Sequence, residues 1–279
     1  MKKRFYLFLT AISLLTAAQA QNKVTKAVTP LGPPTWGNPN QPWGTRRLVT
    51  AADRALIASY RSGHRQPVIS TNFTSQDELK SQWSLQSDDK TDLKSCRLPE
   101  NIVTTSSGLQ LQTLPATKCH AKWSTGSMIS KAKQKYGFFE ATIKAADISG
   151  INNAFWLVSE DKFEIDIAEV HYPNILRITL HNNNNWDKEK DDKQHAVGFN
   201  SKFSGNFSQE FHDYGVLWTP AEIIFEVDGQ PIAAITTNGA ITKAADIRFS
   251  TAVMEYAGKI PDNPAGHHMY VKSLRVYSL

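Results

Sequence analysis

An all-β fold, a sandwich or barrel of antiparallel strands, is what this sequence predicts, on three observations. Beyond residue 68, short runs of alternating or β-branched residues recur between turn residues, the pattern of strands with one face buried. Asp228-Gly229 stands between two apolar runs, and because both central positions of a type I′ turn need positive φ, this pair predicts a hairpin. One segment alone reads as a helix, and it lies before the β region. With 41% hydrophobic and 10% aromatic residues among 279, the chain can build a sizeable core and is excluded from the wholly disordered class.

Taken in order, the chain opens with Lys2, Lys3 and Arg4, an apolar stretch over residues 5–18, and Ala18-Gln19-Ala20, the small-x-small pattern a signal peptidase accepts. Residues 1–20 are therefore expected to be a signal peptide, and the mature chain to be secreted or periplasmic. The stretch is short for a membrane span, no later segment approaches about 18 apolar residues, and Gln21 is not a lipid-accepting cysteine. No membrane anchor is expected. Residues 21–67 read as an irregular N-terminal extension, because Pro30, Pro33, Pro34, Pro39 and Pro42 favour looped backbone. Within it, Thr50 and Asp53 ahead of residues 55–60 predict a short capped helix. Residues 68–279 form the β domain, with strands expected at 102–105, 109–113, 136–144, 154–158, 163–170, 176–181, 214–218, 223–227 and 270–277. The asparagine tract at 182–185 reads as a polar loop.

Composition also narrows the partners. Three of the formal +5 charges sit on Lys2, Lys3 and Arg4, so the chain without residues 1–20 stands at +2, too near neutral for a nucleic-acid binder without a basic stripe. Cys96 and Cys119 suit a disulfide in an oxidising compartment, with buried free thiols as the other reading. Two cysteines alone make no zinc site, and no metal ligands are assigned. No Gly-x-Ser-x-Gly elbow is present for a serine hydrolase. A monomer is expected.

The chemistry concentrates in Phe163-Glu164-Ile165-Asp166-Ile167-Ala168-Glu169-Val170. Side chains alternate along a strand, so Glu164 and Asp166 share one face while Phe163, Ile165 and Ile167 share the other. Glu169 then points the wrong way, unless a β-bulge near Ala168 adds one residue and returns it to the carboxylate face; bulges concentrate beside active sites. Crowded acids repel and raise one another's pKa values, a cost to the fold that glycoside hydrolysis uses. A retaining mechanism needs two carboxyl groups about 5 to 5.5 Å apart, one ionised as nucleophile and one protonated as acid. Glu164 would be the nucleophile and Glu169 the acid and then the base, with Asp166 between them holding a hydrogen bond and helping to keep their pKa values apart. An acidic, solvent-facing strand with ordinary alternation is the competing reading of the spacing alone. On the preceding strand Trp156 alternates with Phe155 and Leu157, and a flat indole suits the apolar face of a pyranose.

The segment Glu164-Ile165-Asp166-Ile167-Ala168-Glu169 resembles the bulged Glu-x-Asp-x-x-Glu motif of glycoside hydrolase family 16, as found in laminarinases, agarases and carrageenases. Other segments resemble that family in the same order: residues 124–130, Tyr136-Gly137-Phe138-Phe139-Glu140-Ala141, Ala154-Phe155-Trp156-Leu157, Phe211-His212-Asp213-Tyr214 leading to Trp218-Thr219-Pro220, and Leu274-Arg275-Val276-Tyr277. Together they span about residues 69 to 279. The resemblance implies a β-jelly-roll sandwich of two curved antiparallel sheets, with the substrate across the concave face and the three acids at its centre. By position Glu164, Asp166 and Glu169 take the nucleophile, assisting and acid/base roles. Trp156 matches an aromatic lining the cleft, His181 a polar residue reaching in from the next strand, and Glu140 a residue that contacts sugar hydroxyls. Arg177, on the strand face of Thr179 and His181, and Trp186 complete the expected substrate-binding set. Two positions depart from the family. Thr142 stands where an arginine is common, so contacts on the non-reducing side are expected to differ. Val271-Lys272-Ser273 lacks an aspartate that helps hold a structural calcium, so no cofactor is expected.

The function expected on these grounds is a secreted, endo-acting, retaining glycoside hydrolase acting on a β-1,3 or mixed-linkage β-1,3/1,4-glucan. A galactan of the agarose or carrageenan type is the alternative. A sulfated chain would favour a cleft lined by Arg or Lys, and only Arg177 is expected there. A lectin-like module that binds without cutting, and a transglycosylase using the same intermediate, are the remaining alternatives.

Overall fold

The computed structural model describes residues 28–32, 35–36, 40–90, 92–185 and 196–279. The expected signal peptide and Trp186 lie outside the described residues. The chain builds two large sheets. In the first, the strands run from edge to edge as Thr35–Trp36, Ala196–Lys202, Ile175–Asn182, Phe163–His171, Ile151–Ser159, Ala245–Val253, Ser127–Gln134 and Trp83–Leu85. The second runs Asn40–Gln41, Gly44–Arg47, Gln230–Thr236, Glu222–Val227, His212–Trp218, Gly137–Lys144, His268–Tyr277, Gly108–Gln112 and Ile102–Thr105. Neighbouring strands within both pair antiparallel, as in a jelly roll.

Period-2 alternation puts one side of each strand into a shared core. Phe155, Leu157, Ile165, Ile178 and Phe249 from the first sheet join Phe139, Val216, Trp218, Phe225 and Val276 from the second in one buried cluster. Asp228 and Gly229 adopt φ of 51° and 80° at the hairpin between Glu222–Val227 and Gln230–Thr236.

The N-terminal extension is more regular than its prolines predict. Thr35–Trp36 adds an edge strand to the first sheet and Gly44–Arg47 pairs within the second, since an extended proline-rich chain can still complete a sheet edge. The helix Ala51–Arg61 is capped by the reciprocal Thr50–Asp53 hydrogen bonds. Arg47 ties Asp53 at 2.7 Å and Glu222 at 2.6 Å. Its Ile57 and Tyr60 cover Phe138, Leu217, Ile224 and Ala234 on the outer face of the second sheet.

A second helix, Gln76–Gln82, was not expected. It buries only Leu79, too little apolar periodicity to read from sequence, and it is started by Ser75 accepting from the Glu78 backbone. Cys96 and Cys119 form a disulfide across 23 positions, tying the short strand Ser95–Arg97 to the loop before its parallel partner Trp123–Thr125. Among the described residues, no helix is long and apolar enough to cross a membrane.

Candidate active site

The strand Phe163–His171 breaks its own alternation once. Trp156 pairs with Asp166 but Phe155 pairs with Ala168. On the other side, Thr179 pairs with Asp166 and Arg177 with Glu169. Ile167 and Ala168 thus oppose a single position on the partner strand, and both are buried at 1% exposure. This is a β-bulge, and it holds Glu169 on the outer face with Glu164 and Asp166 while the apolar residues stay in the core.

Neighbouring strands supply the partners. His181, opposite Glu164 in register, reaches diagonally to Asp166 with its Nε2 3.1 Å from Oδ2. Asn183 Nδ2 donates to Glu164 Oε2 at 3.3 Å. Glu169 is held at both oxygens, by Asn152 Nδ2 at 2.7 Å and by the Tyr256 hydroxyl at 2.9 Å. The donor atoms of Glu164, Asp166 and His181 lie within 4.8 Å of one another, a spacing that also suits a divalent cation.

Burial of Asp166, reinforced by the Glu164 charge and opposed by the His181 hydrogen bond, pushes its carboxyl up to about 7. Burial opposes the charge on His181, but the hydrogen bond to Asp166 and the surrounding carboxylates outweigh it and raise the imidazole to about 9. Both shifts favour retaining a proton in the pair. Burial also raises Glu169, against the hydrogen bonds from Tyr256 and Asn152 and the charges of His181 and Arg177. A carboxyl that holds its proton more tightly than usual suits the role of a general acid.

Trp156 lies on the same outer face, half-buried, with its Nε1 donating to Ser250 Oγ at 3.2 Å and the Arg248 guanidinium 4.7 Å from its ring centre. Arg177 stacks over the Tyr256 ring at 4.2 Å, beside Glu169.

Glu140 does not belong here. It lies on the outer face of the second sheet, where it pairs with Arg61 in a cluster with Asp213 and buried Glu226. Thr142 shares that face and donates to Asp213 Oδ1 at 2.7 Å, so its identity bears on this cluster and not on sugar contacts. Sheet membership is a long-range property, and the local Tyr-Gly motif does not reveal it.

The surroundings of Val271-Lys272-Ser273 suit a cation poorly. Lys272 and Arg275 line a polar hollow of about 610 Å³ with Asp213 and Asp228. The Asp213 carboxylate is engaged by Arg61 and Thr142, and that of Asp228 by His212 and a backbone amide.

Asn152, His171, Asn183, Arg248, Ser250 and Tyr256 are site residues that sequence reasoning missed. Only register could have pointed to Asn152, which lies two positions before Ala154, the residue opposite Glu169.

The sequence model of Glycosyl hydrolases family 16 matches residues 77–270, and the chain belongs to that family. Beta-agarase AgaB34 of Agarivorans albus is 33% identical over 156 residues, covering 50% of this chain and 32% of that protein. The Beta-glucanase of Acetivibrio thermocellus is 26% identical over 198 residues, covering 67% of this chain and 56% of that protein. The chain thus spans about a third of the length of several curated relatives it matches. The laminarinase catalytic domain from Thermotoga maritima MSB8 superposes with a TM-score of 0.68 at 19% identity, over 77% of this chain and 98% of that one. Porphyranase B from Zobellia galactanivorans gives 0.63 at 18% identity, over 86% and 95%. These likenesses show the fold.

Proposed function

We propose that this chain is an exported, endo-acting, retaining glycoside hydrolase that cleaves internal bonds of a β-1,3 or mixed-linkage β-1,3/1,4-glucan. The observation that carries it is the bulge that keeps Glu164, Asp166 and Glu169 on one open sheet face. Glu164 attacks the anomeric carbon while Glu169 protonates the departing oxygen. Glu169 then takes a proton from the water that releases the sugar from Glu164. Asp166, with its His181 partner, lies between the two and keeps their protonation states apart. Trp156 and Arg177 contact the sugar chain, and Trp186 is proposed to do so as well. Export is supported by the Cys96–Cys119 disulfide, which suits an oxidising compartment.

The choice of a neutral glucan rests on how the cleft's cations are used. Arg248, which sequence reasoning did not place there, is paired with Asp246, and Arg177 is spread over the Tyr256 ring. The ion pair takes Arg248 out of play as a fork for a sulfate, which leaves Arg177, among the described residues, as a single such donor beside the acids, fewer than a sulfated chain would favour. A galactan remains the second reading, favoured by the beta-agarase relative.

Reducing-end release from laminarin, lichenan, agarose and carrageenan separates the substrates, with release from laminarin or lichenan expected. NMR of the first product is expected to show the β-anomer; the α-anomer would reject Glu164 as nucleophile. Glu164→Gln should abolish turnover and leave oligosaccharide binding measurable. Binding without cleavage by the unaltered protein would favour a lectin.

A further inference from the structure

We infer that Asn152, His171 and Tyr256 are positioning residues that hold Glu169 and fix its transferable proton on Oε2. This rests on Glu169 as the acid/base and deepens it, by assigning the oxygen that carries the proton and the side chains that keep it there.

The assignment follows from what each partner can do. An amide NH₂ only donates, so Asn152 Nδ2, 2.7 Å from Oε1, holds Oε1 as an acceptor. A hydroxyl both donates and accepts, so Tyr256 Oη, 2.9 Å from Oε2, can serve either state of the acid. It accepts from Oε2–H while Glu169 is protonated and donates to Oε2 once the proton has left. In the first step the glycosidic oxygen takes the Oε2 proton as its bond to the anomeric carbon breaks. In the second, water returns a proton to Oε2 as its oxygen displaces Glu164.

His171 decides which way the Asn152 amide faces. Its Nε2 is 3.1 Å from Asn152 Oδ1; with the hydrogen on Nε2 it donates to that carbonyl and leaves Nδ2 for Glu169. Burial, and then the Arg177 charge, hold His171 neutral with its pKa down to about 4. Its ring meets Tyr256 edge-on at 5.1 Å, and Arg177 stacks on the same tyrosine at 4.2 Å. Among the described residues, the charged and titratable groups facing Glu169 are Glu164 and Asp166 on its own strand, Arg177 and His181 on the next, and Tyr256 from the turn after Ala245–Val253, while His171 reaches it only through Asn152 and Tyr256.

The test uses the full protein labelled with ¹³C at the glutamate δ-carboxyl, with the Glu169 signal identified by its loss in Glu169→Gln. Asn152 can donate only to the carboxylate oxygen, and the bond Tyr256 donates to the charged carboxylate is stronger than the one it accepts from the neutral acid, so Tyr256→Phe and Asn152→Ala should each move the Glu169 titration, and the alkaline limb of the rate profile, to higher pH. Tyr256 is 42% exposed, and its phenylalanine variant keeps the ring packing. In that variant, turnover of the polysaccharide should fall about tenfold. The kcat/KM for a 2,4-dinitrophenyl glycoside of the same sugar, which reports only the steps through bond cleavage and whose leaving group needs no proton, should change less than about twofold. An unmoved Glu169 titration in both variants, or equal losses of kcat/KM on both substrates, would overturn the inference. An unaltered protein that cleaves none of the four polysaccharides would instead overturn the hydrolase reading, while the carboxyl titration still decides whether Glu169 is held as described.

Discussion

At the scale of single residues, Arg61 is the clearest case of one side chain deciding the fate of several others. Glu140, Gly215 and Glu226 stand in one row across the second sheet, and the row places two acids side by side. Gly215 leaves room there for the Glu226 carboxyl, since a Cβ would come within 2.4 Å of Glu226 Oε1 and push that group aside. Arg61 descends from the helix Ala51–Arg61 to pair with Glu140, with Asp213 at 2.8 Å and with Glu226 at 3.8 Å. Burial raises Glu140 to about 7, and the Arg61 charge opposes that rise. A folded pKa above the ordinary 4.5 means that the fold favours protonated Glu140; its contribution is complete below that value and is lost as pH rises through about 7. Removing the guanidinium removes what offsets this loss. Arg61→Ala should therefore cost about 3 kcal/mol at pH 8 and clearly less at pH 5, read from urea denaturation. A cost independent of pH would mean that the arginine acts through packing alone.

At the scale of elements, what the sequence reveals depends on whether the signal is local. The bulge is legible because three acids in six positions cannot share a face under strict alternation, and an extra residue resolves the conflict. The helix cap at Thr50 and Asp53 and the Asp228-Gly229 turn are legible because their chemistry lies within a few residues. The strand Ala245–Val253 is absent from the sequence reading although Ile247 and Phe249 alternate with Asp246 and Arg248, because it continues through Ser250, Thr251 and Ala252 without apolar punctuation. Tyr256 and Asn152 are invisible for a different reason: they meet Glu169 from 87 and 17 positions away, and one sequence carries no register between such distant segments. The disulfide lies between these cases, since two cysteines permit a bridge but do not impose one. It closes a loop of 23 positions, worth about 3 kcal/mol by chain entropy. Cys96→Ser with Cys119→Ser should lower unfolding stability by about that amount and leave turnover intact, because the bridge makes no contact with the three acids. A loss of turnover at a temperature where the variant remains folded would show that the bridge shapes the cleft.

At the scale of the whole molecule, the family match begins at residue 77, but the folded unit begins earlier. Residues 40–61 supply strand pairs to the second sheet and a helix that covers Phe138, Leu217, Ile224 and Ala234, apolar side chains that would otherwise form an exposed patch on the sheet's outer face. They also supply the cation that offsets Glu140 and Glu226. Sequence reading sets this segment apart as an extension because its prolines break any periodic pattern, yet a sheet edge and a sheet face are completed by geometry and need no periodicity. A chain beginning at residue 63 is therefore expected to keep the three acids and the bulge but to expose an apolar face over a pair of uncompensated acids. Its thermal midpoint should fall by about 10 °C or more, as loss of several kcal/mol implies for a domain of this size, and it should bind a hydrophobic dye at temperatures where the full chain does not. Ile57→Asp in the full chain tests the same contact without changing its length, since a carboxylate would replace an apolar side chain at 0% exposure between the helix and the sheet. If both variants melt with the full chain, the helix is an ornament on a self-sufficient sandwich and the outer face is stable bare. If both melt early, the residues before the family match are part of the fold that holds the cleft in shape.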